Sequence, residues 1–86
     1  MTAKAQNMGY LAWQCRRGIK EVEVILLPYF ELFFTAAPDS EKQLFVKLLE
    51  EQDPDLFEWF THRSIPDDKD LAEIVEIVLQ KLATRS

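Results

Sequence analysis

The chain has 86 residues, 48% of them hydrophobic and 12% aromatic, which suffices for one core and excludes a second domain. A single Cys and a single His exclude an intrachain disulfide and a structural zinc site built on four Cys/His ligands. The net charge of −5 hides an asymmetry, because residues 1–20 carry four cations and no acid, which leaves −9 on the remainder.

The elements read as helices in succession, within one helical domain spanning residues 1–86 whose residues 1–6 are expected to be flexible. Asn7 is placed to cap a first helix through Tyr10, Leu11, Trp13 and Cys15. Arg16 and Arg17 then fall in its last turn, and Gly18 follows as a corner where a C-terminal cap calls for positive φ. From Ile19 to Thr35 the apolar positions Val22, Ile25, Leu26, Tyr29, Phe30 and Phe33 fit a second helix. Pro28 deletes one of its internal hydrogen bonds and predicts a kink. Ser40-Glu41-Lys42-Gln43 matches a Ser-x-x-Gln capping box ahead of the stripe Leu44, Phe45, Leu48 and Leu49, so a third helix runs to about Glu51. Asp53 followed by Pro54 reads as a cap and a first helical residue for a short fourth helix through Phe60. The polar stretch Thr61-His62-Arg63-Ser64 reads as a connection. The last helix starts near Asp68, behind Pro66 and Asp67, and buries Leu71, Ile74, Val75, Val78, Leu79 and Leu82 on one face. No two segments read as pairing strands, so the fold class is all-α, a small bundle of about five helices.

Several chemistries have no support in these residues. The one histidine, His62, stands in a connection, so a Ser-His-Asp or Cys-His device is not expected. The acidic clusters at Asp53-Pro54-Asp55 and Asp67-Asp68-Lys69-Asp70 lack the glycine and the terminal Glu of a calcium-binding EF-hand loop. Catalytic, cofactor-binding and metal-binding residues are therefore expected to be none. Apolar runs such as Val24 to Phe30 are far short of the roughly 20 residues a spanning helix needs. No signal or transit segment is visible, and the lone Cys15 fits a reducing compartment, which together predict a cytoplasmic protein without membrane insertion. Three clustered cations on an otherwise acidic chain are too few for a nucleic-acid surface, so a protein partner is expected.

Three stretches carry a resemblance: Trp13-Gln14-Cys15-Arg16-Arg17-Gly18-Ile19-Lys20-Glu21, Leu26-Leu27-Pro28-Tyr29-Phe30-Glu31, and Asp53-Pro54-Asp55-Leu56-Phe57-Glu58-Trp59. In order and spacing they resemble the SdhE family, also called YgfY or CptB, over roughly residues 7–82. Its hallmark Arg-Gly-x-x-Glu is matched here by Arg17-Gly18-Ile19-Lys20-Glu21. Tyr29 stands where the family more often has Phe, and its hydroxyl needs a partner if buried. The resemblance implies a small helical assembly factor that binds the flavoprotein subunit of succinate dehydrogenase or fumarate reductase and promotes covalent attachment of FAD. In that scheme FAD is the partner's cofactor and joins a histidine of the partner through its 8α-methyl carbon. The small protein is expected to hold no cofactor stably, to be a monomer, and not to be an enzyme.

The resemblance implies that Arg16, Arg17, Gly18 and Glu21 bind the partner. Read by themselves, the same residues fit a plainer account: two cations complementing a helix dipole, a glycine cap, and an acid at a helix start. The two accounts separate on substitution, since exposed contact residues are dispensable for folding. Trp59, Phe57 and Phe60 are expected in the core, and Cys15 is expected to be an inert packing residue. An antitoxin-like protein-binding module is the alternative function, and a helix-turn-helix DNA binder using Arg16, Arg17 and Lys20 is a more distant one.

Overall fold

The structure, a computed structural model, describes residues 8–84; the expected Asn7 cap and the segment 1–6 lie outside that range. Five α-helices follow one another: α1 (Met8–Gln14), α2 (Lys20–Tyr29), α3 (Asp39–Leu48), α4 (Asp53–Phe60) and α5 (Lys69–Thr84). No strand occurs among the described residues, and the protein is an all-α bundle.

Helix α5 bears out its apolar spacing most directly. Leu71, Ile74, Val75 and Val78 are buried, Leu79 and Leu82 are half-buried against the same core, and Glu73, Glu76 and Gln80 face solvent. Fully burying an aliphatic side chain such as Ile74 or Val78 contributes about 1.5–3 kcal/mol. The expected cap is present, with Asp68 Oδ1 accepting from the Asp70 N–H at 2.8 Å and the Leu71 N–H at 3.4 Å. Lys47, in the last turn of α3, ties this start down through Asp68 (2.9 Å) and Asp70 (3.3 Å). Helices α2, α3 and α4 all pack on α5, and α2 also packs on α4. Val22, Leu26 and Tyr29 of α2 meet Phe45 and Leu48 of α3 and Leu56 and Phe60 of α4 in one core, which Leu11 and Cys15 close from the α1 side.

The irregularity expected at Pro28 takes the form of a π-helical turn over Phe30–Phe34 that continues α2. Pro28 cannot donate to the preceding turn, and two residues later the Phe30 N–H is shared between the Leu26 and Leu27 carbonyls. The wider turn keeps Phe30 and Phe34 buried on one side, their rings stacked with centroids 5.2 Å apart. Tyr29 is fully buried, and its hydroxyl donates to Glu41 Oε2 at 2.5 Å. Lys81 donates to the same oxygen at 2.8 Å, so α2, α3 and α5 are joined at one carboxylate. Burial alone would raise the Glu41 carboxyl, but the bonds from Lys81 and Tyr29 outweigh it and hold it below its ordinary range. Burial first, and then the Glu41 hydrogen bond, push the Tyr29 phenol upward, so it stays protonated.

Two capping expectations are corrected. Helix α3 begins at Asp39 with Pro38 in the N-cap position, and no side chain caps it. Its first bond runs from the Lys42 N–H to the Pro38 carbonyl at 3.0 Å. Ser40 therefore lies inside the first turn, past the N–H groups that a capping box would satisfy. At α4 the N-cap is Gln52 and Asp53 is already helical; the Asp53 carboxylate serves residues from another part of the chain.

The end of α4 uses left-handed backbone. His62 has φ 59°, the one non-glycine residue with positive φ among those described. The Arg63 N–H donates to the Glu58 carbonyl at 2.8 Å and the His62 N–H to the Trp59 carbonyl at 3.2 Å. This double closure is a Schellman motif, in which His62 occupies the position where glycine is usual.

Candidate functional site

The corner between α1 and α2 is where the singled-out residues gather. Helix α1 ends at Gln14, and the chain closes it with the Cys15 N–H on the Leu11 and Ala12 carbonyls and the Arg16 N–H on Trp13 at 3.0 Å. Arg16 and Arg17 thus lie beyond the helix and not in its last turn. Gly18 is corrected as well, since its φ is not positive. The helix has already terminated four residues earlier, so no left-handed residue is needed there. A Cβ on Gly18 would meet only Asp53 Oδ2, at an ordinary 3.7 Å.

Arg17 turns inward. Its side chain is 13% exposed, and its guanidinium donates to the Leu49 carbonyl (2.5 Å), the Glu51 carbonyl (3.2 Å) and Asp53 Oδ1 (3.1 Å). Leu49 and Glu51 follow the end of α3, where carbonyls lack helical partners and a cation complements the dipole. Asp53 Oδ2 accepts from the Gly18 N–H at 3.2 Å, so one carboxylate holds two successive residues of the corner. Glu23, in the first turn of α2, accepts from the Arg17 backbone N–H at 2.9 Å and lies 3.6 Å from Arg16 Nε. Arg17 is therefore not the exposed contact residue that was expected: it laces the α1–α2 corner to the α3–α4 connection.

The other residues of the set face solvent. Arg16 is 69% exposed, and Gly18, Lys20 and Glu21 are exposed beside it along the chain. The N-cap of α2 is Ile19 without a side-chain bond, so Glu21 caps nothing; its carboxylate has no hydrogen bond or ion pair to another described residue. The sequence reading missed Asp53 and Glu23. Asp53 stood in a helix-start pattern that explained it fully, and Glu23 carried no signal of its own.

Two further reactive groups, the Cys15 thiol and the His62 imidazole, are respectively buried and exposed to water. Cys15 is fully buried, and burial pushes its thiol up to about 12 against the opposing charge of Arg17, which keeps it neutral. His62 lies 3.3 Å from Glu76 with both side chains more than half exposed, and no nucleophile joins them among the described residues.

The family model described as "Flavinator of succinate dehydrogenase" matches residues 10–82. A protein of Yersinia pseudotuberculosis named FAD assembly factor SdhE is 37% identical over 79 residues, covering 92% of this chain and 90% of the relative. Proteins of the same name from Pectobacterium atrosepticum and Serratia are 36% and 35% identical over 72 residues, covering 84% of this chain and 82% of each relative. The matched span runs from α1 to the last turns of α5 and includes the whole braced corner. The chain belongs to the family of succinate dehydrogenase flavinators.

Proposed function

We propose that this protein is an assembly factor that binds the flavoprotein subunit of succinate dehydrogenase, or of fumarate reductase, and raises the yield of FAD covalently attached to it. The observation that carries the reading is the division of labour at the corner. Arg17 is spent inside the molecule, while Arg16, Gly18 and Glu21 are presented to solvent on a turn fixed from behind. A carboxylate without a partner among the described residues, on a rigid corner, is suited to a charged contact on another protein, because little ordering remains to be done on binding.

Bond formation belongs to the flavoprotein in this reading. Joining the 8α-methyl carbon of FAD to a histidine requires loss of a methyl proton and build-up of negative charge on the flavin. The described residues offer no organised acid/base pair for that step, and the partly buried Arg17 guanidinium is already held by two carbonyls and Asp53. Its contribution is binding energy: gripping the flavoprotein in one arrangement populates the geometry in which FAD and histidine meet. Arg16, Gly18 and Glu21 are assigned to the contact and Arg17 to positioning them. FAD stays with the flavoprotein, and the protein acts as a monomer in the cytoplasm; no helix of the described residues is long and apolar enough to cross a membrane. The internal engagement of Arg17 also removes one of the three cations on which a DNA-binding reading rested.

Deleting the protein in its host and reading protein-bound flavin fluorescence on a denaturing gel tests the proposal. The expected result is a strong loss of signal at the flavoprotein band, restored by the wild-type chain. Unchanged bound flavin would overturn it.

A further inference from the structure

Trp13 is 70% exposed, although the same helix buries Leu11 completely. An isolated exposed aliphatic such as Ile65 is ordinary on a protein surface. Trp13 differs because of what surrounds it. Tyr10, one turn earlier, stacks on its ring with centroids 6.2 Å apart and planes 30° from parallel, which restricts the indole without covering it. Trp13, Arg16 and Gly18 rim a surface slot whose floor is Arg17, Leu49 and Asp53. The floor is the braced lattice described above, so the slot is held in shape by hydrogen bonds and not by a mobile loop.

The charges around the slot indicate what fits it. A guanidinium has five N–H donors, and among the described residues Arg16 offers only Nε to Glu23, at 3.6 Å, longer than a normal N–H···O bond. The outer fork of Arg16 is thus available for a bidentate carboxylate contact beside an apolar face. Trp and Arg together are the residue types most enriched among the few that dominate protein interfaces.

We infer that Trp13 is the apolar anchor of the partner contact, seating an apolar side chain of the flavoprotein whose neighbouring carboxylate engages Arg16. This rests on the assembly-factor reading and extends its contact surface from the corner onto α1. Glu21 then supplies the contact with a partner cation on the other side of Gly18.

The test uses the purified flavoprotein subunit carrying non-covalent FAD, from a strain lacking this protein. Trp13→Ala should lower affinity at least about 30-fold, the loss expected for a dominant interface residue, and Trp13→Phe should recover part of it. In case Trp13→Ala perturbs folding, wild-type chain labelled with 5-fluorotryptophan provides a second readout. On complex formation the Trp13 fluorine resonance should lose its solvent isotope shift while the half-buried Trp59 resonance keeps its own. Binding by Trp13→Ala within about threefold of wild type, or a Trp13 resonance unchanged in the complex, would overturn the inference. Loss of self-association alone would also overturn it, by assigning the face to a second copy of this chain. Failure of the wild-type chain to bind the flavoprotein would refute the assembly-factor reading itself.

Discussion

The corner between α1 and α2 contains the glycine, whereas the turn between α4 and α5 contains the left-handed backbone, and the two do not coincide. His62 sits at φ 59° where a glycine would be unstrained, while Gly18 adopts a conformation open to other residues. The α4–α5 turn is closed by backbone bonds from His62 and Arg63 to the helix before it. The α1–α2 corner is closed by side chains, with Asp53, Glu23 and the Arg17 guanidinium binding groups up to 36 residues away in sequence. A turn made by backbone tolerates changes of side chain, whereas a corner made by side chains places particular charges in particular positions. That is what the proposed recognition surface requires, and the two regions differ in construction accordingly.

Substitutions on the two sides of the corner should part company first. Glu21→Ala removes an exposed carboxylate that bonds no described residue, so folding stability should change by no more than about 0.5 kcal/mol. If Glu21 meets a desolvated cation of the flavoprotein, binding should weaken by about 2–5 kcal/mol, read by titration of the flavoprotein beside a thermal melt. Normal binding together with normal bound flavin would remove Glu21 from the site.

Arg17→Ala should behave in the opposite way. It strips donors from two carbonyls and from Asp53, and losses of this kind destabilise by about 2–4 kcal/mol. In a domain of this size each kcal/mol moves the melting midpoint by about 4–8 °C. Asp53→Ala should cost somewhat less, about 1–3 kcal/mol, because Arg17 keeps its two carbonyl partners. A double-mutant cycle between Arg17 and Asp53 should show coupling of about 0.5–3 kcal/mol, as expected for residues in one network. Additive losses would mean that the 3.1 Å contact does not hold the corner.

The different legibility of the two regions has a physical origin. The stripe from Leu71 to Leu82 and the Asp68 cap depend on residues within a turn or two of one another, so periodicity alone locates α5. Pro28 announced an irregularity, but whether it became a kink or a π-turn depended on Phe30 and Phe34 finding the core together. The corner depends on partners in α4 and beyond the end of α3, and no local pattern distinguishes an aspartate that caps its own helix from one that binds an arginine 36 residues earlier. Arg17 was found as a functional candidate through its motif, yet its inward orientation is a tertiary property. Tyr29 is intermediate: its need for a partner could be read from the phenol, but not the choice of Glu41, which Lys81 also engages.

His62→Gly should stabilise the protein. Left-handed backbone costs an L-residue roughly 1–2 kcal/mol that glycine avoids, and against this stand the greater freedom of glycine in the unfolded chain and the loss of an exposed contact with Glu76. A net gain of about 0.5–1 kcal/mol is expected from chemical denaturation, with flavoprotein binding untouched. A loss of stability would indicate that the His62–Glu76 contact outweighs backbone strain.

Gly18→Ala is the smallest expected effect on folding and the cleanest probe of what the glycine is for. Were Gly18 a left-handed cap, the added Cβ would cost roughly 1 kcal/mol and move the corner. With ordinary backbone and only Asp53 Oδ2 at 3.7 Å, the methyl group fits, and stability should stay within about 0.5 kcal/mol of wild type. The methyl would nevertheless stand on the exposed rim of the slot beside Trp13 and Arg16, inside the contact surface proposed for the flavoprotein. An unchanged melt with weakened flavoprotein binding would assign the glycine to the interface. An unchanged melt with unchanged binding would leave the residue without a role in either, and a lowered melt would show that the corner tolerates less than its geometry allows.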